Sequence, residues 1–139
     1  MHFYIDPIEL IRILKKLSLK NRSAGKHVWI DTDKYNEVSF RNSNKAVTIN
    51  TQVVISGRIR INTSDLLGLL DSIKFTDKVQ FITEDPFLLI KQGSFTLKFD
   101  YLTQWLQEQR LAIIVEQKRL AKEQTKINKQ LRESKKGLT

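Results

Sequence analysis

The sequence contains no cysteine, and it has only two prolines and five glycines in 139 residues. Without cysteine the chain has no disulfide framework, no thiolate metal ligand and no thiol nucleophile. Its two histidines, His2 and His27, are too few and too widely separated to form a metal cluster. Nucleophile-elbow, Walker and glycine-rich dinucleotide motifs are also missing. We therefore expect no catalytic residues, no metal site and no cofactor, and we predict that the protein is not an enzyme.

Long apolar segments are missing as well. No uninterrupted apolar run approaches the ~18 residues that a membrane-spanning helix needs. The first residues lack the basic and apolar regions of a secretory signal. We expect a cytoplasmic protein without a membrane partner, and its 40% hydrophobic residues are enough for one packed core.

The charge balance is strongly basic, with a net charge of +9. Such a surplus favours polyanionic partners such as nucleic acid, although lysine-rich surfaces also serve solubility alone. The surplus is uneven along the chain. Residues 103–139 hold nine Lys and Arg and four Glu, and so they carry five of the nine net positive charges.

Apolar spacing predicts two amphipathic helices. The first begins at the cap Asp6-Pro7 and runs to about Lys20, and the second begins at Asn62. Each buries one stripe, formed by Leu10, Ile13, Leu14 and Leu17 in the first helix and by Leu66, Leu69, Leu70 and Ile73 in the second. Strands are predicted at residues 2–6, 27–31, 37–41, 78–83, 87–91 and 94–101. Apolar odd positions from Val47 to Ile61 predict one long strand bent near Gly57, or two strands around a kink.

The two helix entries superimpose at an offset of 56 residues. Ile5 falls on Ile61, the cap Asp6 falls on Asn62, and both apolar stripes coincide. Three strands follow each helix, so that Val28 and Ile30 correspond to Val79 and Phe81. The sequence therefore predicts an α+β fold with a duplicated β-α-β-β-β unit, in which two helices cover one face of a mostly antiparallel sheet.

This order of elements resembles one domain of the bacterial β sliding clamp. The resemblance covers residues 2–102 and is clearest in the segment 53–70 and in the ending 88–99. In that family several such domains close a ring around duplex DNA, the helices line the hole, and there are no catalytic residues. The resemblance implies a clamp-like domain at 1–102, self-assembly into a homo-oligomer and a role in DNA replication. This chain departs from the family by having a single domain, an acidic second helix with Asp65 and Asp71, and an added tail.

The resemblance also implies which residues would touch DNA. Cations of the first helix and of the segment after it would contact phosphate oxygens without reading sequence: Arg12, Lys15, Lys16, Lys20, Arg22 and Lys26. The alternative is an ordinary solvated face of an amphipathic helix.

Residues 103–139 are predicted to form a basic helical extension, with one helix from Gln104 to Lys135. Its apolar residues recur every seven positions at Leu106, Ile113, Leu120 and Ile127, with Trp105 beside the first. The expected partner positions, such as Gln109 and Gln117, are polar, so this is half of a coiled-coil seam. A second hypothesis follows, in which the protein is a scaffold that keeps the clamp fold, binds no DNA and recruits a protein partner through this helix.

Overall fold

The computed structural model describes the backbone of residues 1–137 and the side chains of residues 1–133. It divides into two compact units, Met1–Leu102 and a second unit that begins at Thr103. The second unit is the helix α3 (Thr103–Gly137), and residues 138 and 139 of the predicted tail lie outside the described part. No helix among the described residues combines the length and the apolar character needed to cross a membrane.

The first unit alternates strands with two helices. Its elements are β1 (His2–Ile5), α1 (Pro7–Lys16), β2 (His27–Thr32), β3 (Glu37–Arg41), β4 (Ala46–Asn50), β5 (Val53–Ile55), β6 (Gly57–Asn62), α2 (Thr63–Ser72), β7 (Val79–Glu84), β8 (Phe87–Gln92) and β9 (Phe95–Asp100). The predicted α+β class and the duplicated unit, β1-α1-β2-β3-β4 and β6-α2-β7-β8-β9, are confirmed.

The strands form two antiparallel sheets, so the prediction of a single sheet was wrong. One sheet has the order β5-β1-β7-β8-β9, and the other has the order β4-β3-β2-β6. The cause is an exchange of first strands, because β1 pairs with β7 of the second repeat and β6 pairs with β2 of the first. Alternation of apolar residues shows which face of a strand is buried, but it does not show which strand lies alongside.

The exchange follows the same register in both repeats. Ile5 lies opposite Val79 in one sheet, and Ile61 lies opposite Val28 in the other. The hydroxyl of Thr32 donates to the carbonyl of Gly57 (3.1 Å) and accepts the Gly57 N–H (2.8 Å). The hydroxyl of Thr83 donates to the Met1 carbonyl (3.2 Å) and accepts from the Met1 nitrogen (2.7 Å). The pairs Thr32–Gly57 and Thr83–Met1 are therefore equivalent.

Three phenylalanines join the two sheets. Phe3 and Phe81 lie on neighbouring strands of one sheet and stack with ring centroids 4.8 Å apart. Phe40 of the other sheet meets Phe3 and Phe81 edge to face at 6.3 and 6.2 Å. All three side chains are fully buried. This geometry suits the quadrupoles of aromatic rings and places the centre of the core between the sheets.

Both helices bury the predicted stripes against this core, although to different depths. The α1 stripe from Leu10 to Leu17 is fully buried. In α2 Leu66 and Leu69 are buried, whereas Leu70, and Ile73 directly after the helix, are half-buried. The second helix is therefore packed less deeply along its last turn.

The odd-numbered apolar stretch after residue 46 forms three strands, not the predicted one or two. β4 belongs to one sheet, β5 adds to the edge of β1 in the other, and β6 returns to the first. Between them the Thr51 N–H donates to the Asn36 carbonyl (2.8 Å), and the Tyr4 N–H donates to the Gln52 carbonyl (3.0 Å). These bonds satisfy the backbone where the chain changes sheets.

The end of α1 is set by a residue in the left-handed region. The helix ends at Lys16 and not near Lys20, since Ser18 has φ 51°. The Leu17 and Ser18 N–H groups still bond back to the carbonyls of Ile13 (3.0 Å) and Lys15 (3.1 Å). Leu17 stays buried, which explains why the apolar stripe outlasts the helix.

A buried amide ties each helix end to its sheet. The side chain of Asn42, 8% exposed, donates to the Leu17 carbonyl (2.8 Å) and accepts the N–H groups of Asn44 (3.0 Å) and Lys45 (2.9 Å). Gln92 holds the equivalent place in the second repeat. It donates to the Asp77 carbonyl (2.9 Å) and accepts the Lys74 N–H (2.8 Å).

Replacing Asn42 by alanine should lower the free energy of unfolding by ~1–3 kcal/mol, because it leaves the Leu17 carbonyl and two turn N–H groups without their partner. Urea unfolding followed by circular dichroism measures this. Asn44→Ala, at an exposed position of the same turn, should stay within ~0.5 kcal/mol of the parent protein. Equal losses in the two variants would contradict the anchoring role of Asn42.

Candidate nucleic-acid and partner surfaces

Three of the predicted DNA-binding cations lie on the outer face of α1. Asp6 fixes the start of the helix by accepting the Ile8 N–H (2.9 Å), and Pro7 occupies the first position. Because the apolar stripe of α1 faces the core, the side chains of Arg12, Lys15 and Lys16 are exposed to solvent. The two lysines lie in the last turn, where the helix macrodipole favours positive charge.

The other three cations lie in the connection between α1 and β2. Lys20 follows the turn at Ser18, Arg22 opens a short 3₁₀ turn (Arg22–Ala24), and Lys26 precedes β2. All three side chains are exposed. The segment is held close to the start of α2, because Thr63 donates its N–H to the Lys26 carbonyl (2.9 Å) and its hydroxyl to the Gly25 carbonyl (3.0 Å). The structure thus exposes all six predicted residues, on one helix and the connection that follows it.

The cationic surface of α1 is also partly apolar. Ile8 and Phe75 are 54% and 69% exposed and line a shallow pocket of about 350 Å³ together with Ile11, Arg12 and Lys15. Sequence reasoning missed Phe75, which lies between α2 and β7, because it belongs to neither helix stripe. The surface therefore combines exposed cations with exposed apolar area.

The outer face of α2 differs in charge from that of α1. Thr63–Ser72 contains two aspartates and no Lys or Arg. Burial raises the pKa of Asp65, because the half-buried carboxylate loses part of its hydration. Asp71 is exposed. Phosphate oxygens are therefore attracted to one helix of the pair and repelled by the other.

Each sheet ends in a strand with a free side. The edge strands are β5 and β9 in one sheet and β4 and β6 in the other, and of these β4 and β9 occupy equivalent places in the two repeats. The Thr51 N–H, next to β4, points toward the parent sheet and donates to the Asn36 carbonyl (2.8 Å). The Tyr101 N–H, next to β9, does the same and donates to the Pro86 carbonyl (3.2 Å). Because ladder bonds alternate, the N–H groups of Thr48 and Thr96 point away from the parent sheets. Two exposed rows of backbone donors and acceptors result, and these are the groups through which sheets extend.

Helix α3 carries the predicted partner residues. Trp105 is half-buried, whereas Leu106, Ile113, Leu120 and Ile127 are each about half exposed. Leu131, 56% exposed, extends this stripe by four residues and was missed, although its spacing from Ile127 is that of a coiled-coil seam. From Leu111 to Val115 the helix is apolar on every side. Helices that are apolar on every side are usually buried, so this exposed segment is a candidate contact surface.

The described side chains offer little for metal or acid–base chemistry. No group of three or more His, Asp or Glu among residues 1–133 is placed to hold a metal ion. The Tyr101 hydroxyl donates to the carboxylate of Asp85. Burial, the hydrogen bond and the charge of Asp85 all raise the pKa of Tyr101, which keeps the phenol protonated as a donor.

Solved structures of bacterial sliding clamps are similar to the first unit. The Helicobacter pylori β clamp bound to a DNA ligase peptide has a TM-score of 0.62 at 21% identity. The β subunit of DNA polymerase III from Pseudomonas aeruginosa has a TM-score of 0.63 at 16% identity. The Bartonella birtlesii sliding clamp bound to griselimycin has a TM-score of 0.64 at 13% identity. Each alignment covers 73% of this chain and 30% of the clamp chain.

These likenesses establish the fold and confirm the predicted resemblance to a sliding-clamp domain. The chain spans less than a third of the length of the clamp chains it matches. No protein-family model and no curated protein matches the sequence.

The raised pKa of Asp65 predicts how stability changes with pH. The folded state holds this proton more tightly than the unfolded chain, so stability should fall as pH rises from the ordinary value of 3.8 through the raised folded value. Asp65→Asn removes this loss, and its stability relative to the parent should increase across that window and then level off. Urea unfolding at a series of pH values measures the difference, and Asp71→Asn on the same helix controls for net charge. A parent–variant difference that is constant with pH would contradict the assignment.

Proposed function

We propose that the first unit is a non-enzymatic, clamp-like binding module in the cytoplasm that assembles with further copies of itself and holds duplex DNA without reading its sequence. The observation that carries the proposal is the outer face of α1. Arg12, Lys15 and Lys16 project from a helix whose opposite face is fully buried in the core of a sliding-clamp fold. A rigid helix with exposed cations binds phosphates as point charges.

Assembly is part of the proposal because of size. One clamp-like unit matches 30% of each solved clamp chain, so encirclement of a duplex requires several units. The edge strands β4 and β9 supply a means, since the free edge of one copy can add to the free edge of the next. Such an interface joins two different surfaces head to tail and closes into a ring when the rotation per copy allows. DNA replication is the context in which such a ring would serve.

Proline at a free edge tests the assembly. Thr48→Pro and Thr96→Pro each remove one outward N–H and place a ring on the free side, and the bonds to the parent sheet are kept. The wild-type chain should form oligomers whose mass rises with concentration, and each variant should sediment as a monomer at concentrations where the wild type does not. Analytical ultracentrifugation gives the masses.

Thr48→Ala and Thr96→Ala are the matched controls, because they lose the same side chains but keep the backbone donors. At position 48 both changes also remove the hydrogen bond between the Thr48 and Ser39 hydroxyls (2.9 Å). Melting temperatures check that the proline variants stay folded. A wild-type chain that remains monomeric to high concentration would overturn the assembly, and so would oligomers unaffected by both proline variants.

Neutralising the α1 cations tests DNA binding. Changing Arg12, Lys15 and Lys16 together to Gln should weaken binding to duplexes of unrelated sequence by a similar factor. If each residue binds one phosphate, the log–log slope of affinity against salt should become shallower by ~0.9 per phosphate, or ~2.7 in all. Fluorescence anisotropy over a salt series measures both quantities.

The control is a second triple change, Lys34, Arg41 and Lys78 to Gln, at exposed positions outside α1 and α3. It lowers the net charge by the same three units, from +9 to +6. It should leave most of the affinity and the slope intact. Equal effects in the two triple variants would mean that net charge, and not the α1 face, attracts DNA.

A second function is favoured by α3. The apolar residues of its stripe, from Leu106 to Leu131, are exposed and can contact a protein partner. The two aspartates of α2 repel phosphate, and a scaffold that binds no DNA is compatible with such a helix. In this alternative the clamp fold is a rigid platform, and a helical partner binds to α3 and covers the apolar stripe of α3. Absence of DNA binding even at low salt would favour this function over the first.

A further inference from the structure

Helix α3 carries a second charged feature, on the side away from its apolar stripe. Between Glu116 and Glu133 the helix has six Lys and Arg and three Glu. Lys122 follows Ile113 by nine residues, and Lys129 follows Leu120 by nine. At ~100° per residue, nine residues turn a side chain through half a circle. The cations therefore lie opposite the stripe and form a basic stripe made of Lys118, Lys122, Lys126, Lys129 and Arg132.

The helix does not neutralise this basic stripe itself. Glu116 and Glu123 both pair with Arg119, at 2.5 and 3.9 Å, and so they do not pair with the stripe. The third glutamate, Glu133, is exposed at the end of the stripe, four residues after Lys129. Among the side chains described, residues 1–133, no ion pair engages any of the five members of the basic stripe. All five are exposed.

The spacing within the basic stripe brings like charges together. Lys118, Lys122 and Lys126 follow one another at four residues, and Lys126, Lys129 and Arg132 follow at three. Like-charged neighbours at these spacings destabilise a helix by ~0.2–0.5 kcal/mol per pair. Such pairs accumulate along one side of the helix, and an anion that lies along the stripe would relieve all of them.

We propose that the basic stripe of α3 is a nucleic-acid-binding site, separate from the face of α1, that binds the phosphate backbone of a duplex. The stripe extends over fifteen residues, and its first and last members are ~21 Å apart along the axis at 1.5 Å per residue. A duplex carries one negative charge per ~1.7 Å of axis, so a row of phosphates can follow the stripe over its whole length. The side chains are mostly lysines, which act as point charges and favour binding without sequence readout.

The narrowness of the apolar stripe favours nucleic acid over a lipid surface. A helix that lies in a membrane interface buries a broad apolar face and keeps its cations above it. Beyond Val115 the apolar stripe of α3 is narrow, with Gln117 and Gln124 between its members. The same arrangement leaves the apolar stripe available to another helix while the basic stripe is occupied.

The test compares two quadruple variants of the full chain with equal net charge. One changes Lys118, Lys122, Lys126 and Lys129 to Gln, and the other changes Lys34, Arg41, Lys78 and Lys91 to Gln. Each lowers the net charge by four, from +9 to +5. Glutamine is a helix former comparable to lysine, so circular dichroism should show α3 intact. The probe is a fluorescent duplex longer than ~21 Å, titrated over a salt series.

The α3 variant should bind the duplex at least tenfold more weakly at low salt than the charge-matched variant. Its log–log salt slope should be shallower than that of the wild type by ~3–4, at ~0.9 for each phosphate that is no longer neutralised. Equal behaviour of the two quadruple variants would overturn the site. Vesicles with anionic headgroups form a second arm, and a wild-type chain that binds them but not the duplex would overturn it too.

Combination with the α1 triple variant separates this site from the proposed function. If only the α1 change weakens binding, the α3 site fails and the α1 face stands. If only the α3 change weakens binding, the α3 site stands and the α1 face fails. Where both contribute, the losses in free energy should add for two independent surfaces.

Discussion

The exchange of first strands between the two repeats is the constraint on which the rest of the structure depends. Because β1 completes the sheet of the second repeat and β6 completes the sheet of the first, neither repeat has a full sheet without the other. Thr32 and Thr83 seal the two crossings by the same pair of hydrogen bonds. The exchange also brings Phe3 beside Phe81 and under Phe40, so that one core serves both sheets. With the crossings fixed, the last strand of each repeat, β4 or β9, lies at one edge of its sheet.

The same constraint explains why the surfaces of the two helices differ while their buried faces agree. Each helix must fit the shared core, so the apolar stripes follow one pattern at an offset of 56 residues. Their outer faces lie away from this core and differ, as Arg12 and Lys15 on α1 and the two aspartates on α2 show. A duplicated fold can in this way carry one cationic helix and one anionic helix without cost to packing.

Local features of the fold could be predicted from the sequence, because local chemistry determines them. The cap at Asp6-Pro7, the stripe from Leu10 to Leu17 and the correspondence of Val28 with Val79 all follow from spacing, and the structure contains them. Features set by distant residues could not be predicted. Beside the left-handed Ser18 that ends α1, the Leu17 carbonyl accepts from Asn42, a residue twenty-five positions later that the helical pattern does not indicate. The partition of the strands into two sheets likewise depends on pairing between the repeats, which strand patterns do not show.

The distribution of charge bears on how such a module could hold DNA at all. An acidic α2 beside α1 halves the cationic lining that two basic helices would give, and each added copy would bring the same deficit. In the first unit the net charge is shared between sheets, loops and α1, whereas α3 and its end hold five of the nine net positive charges in about a quarter of the chain. Attraction by exposed cations falls off over a Debye length of ~10 Å, so where the charges lie matters more than their sum. If both proposed sites bind DNA, the row of cations on α3 adds phosphate contacts to those of α1, and it does so without altering the core that fixes the fold.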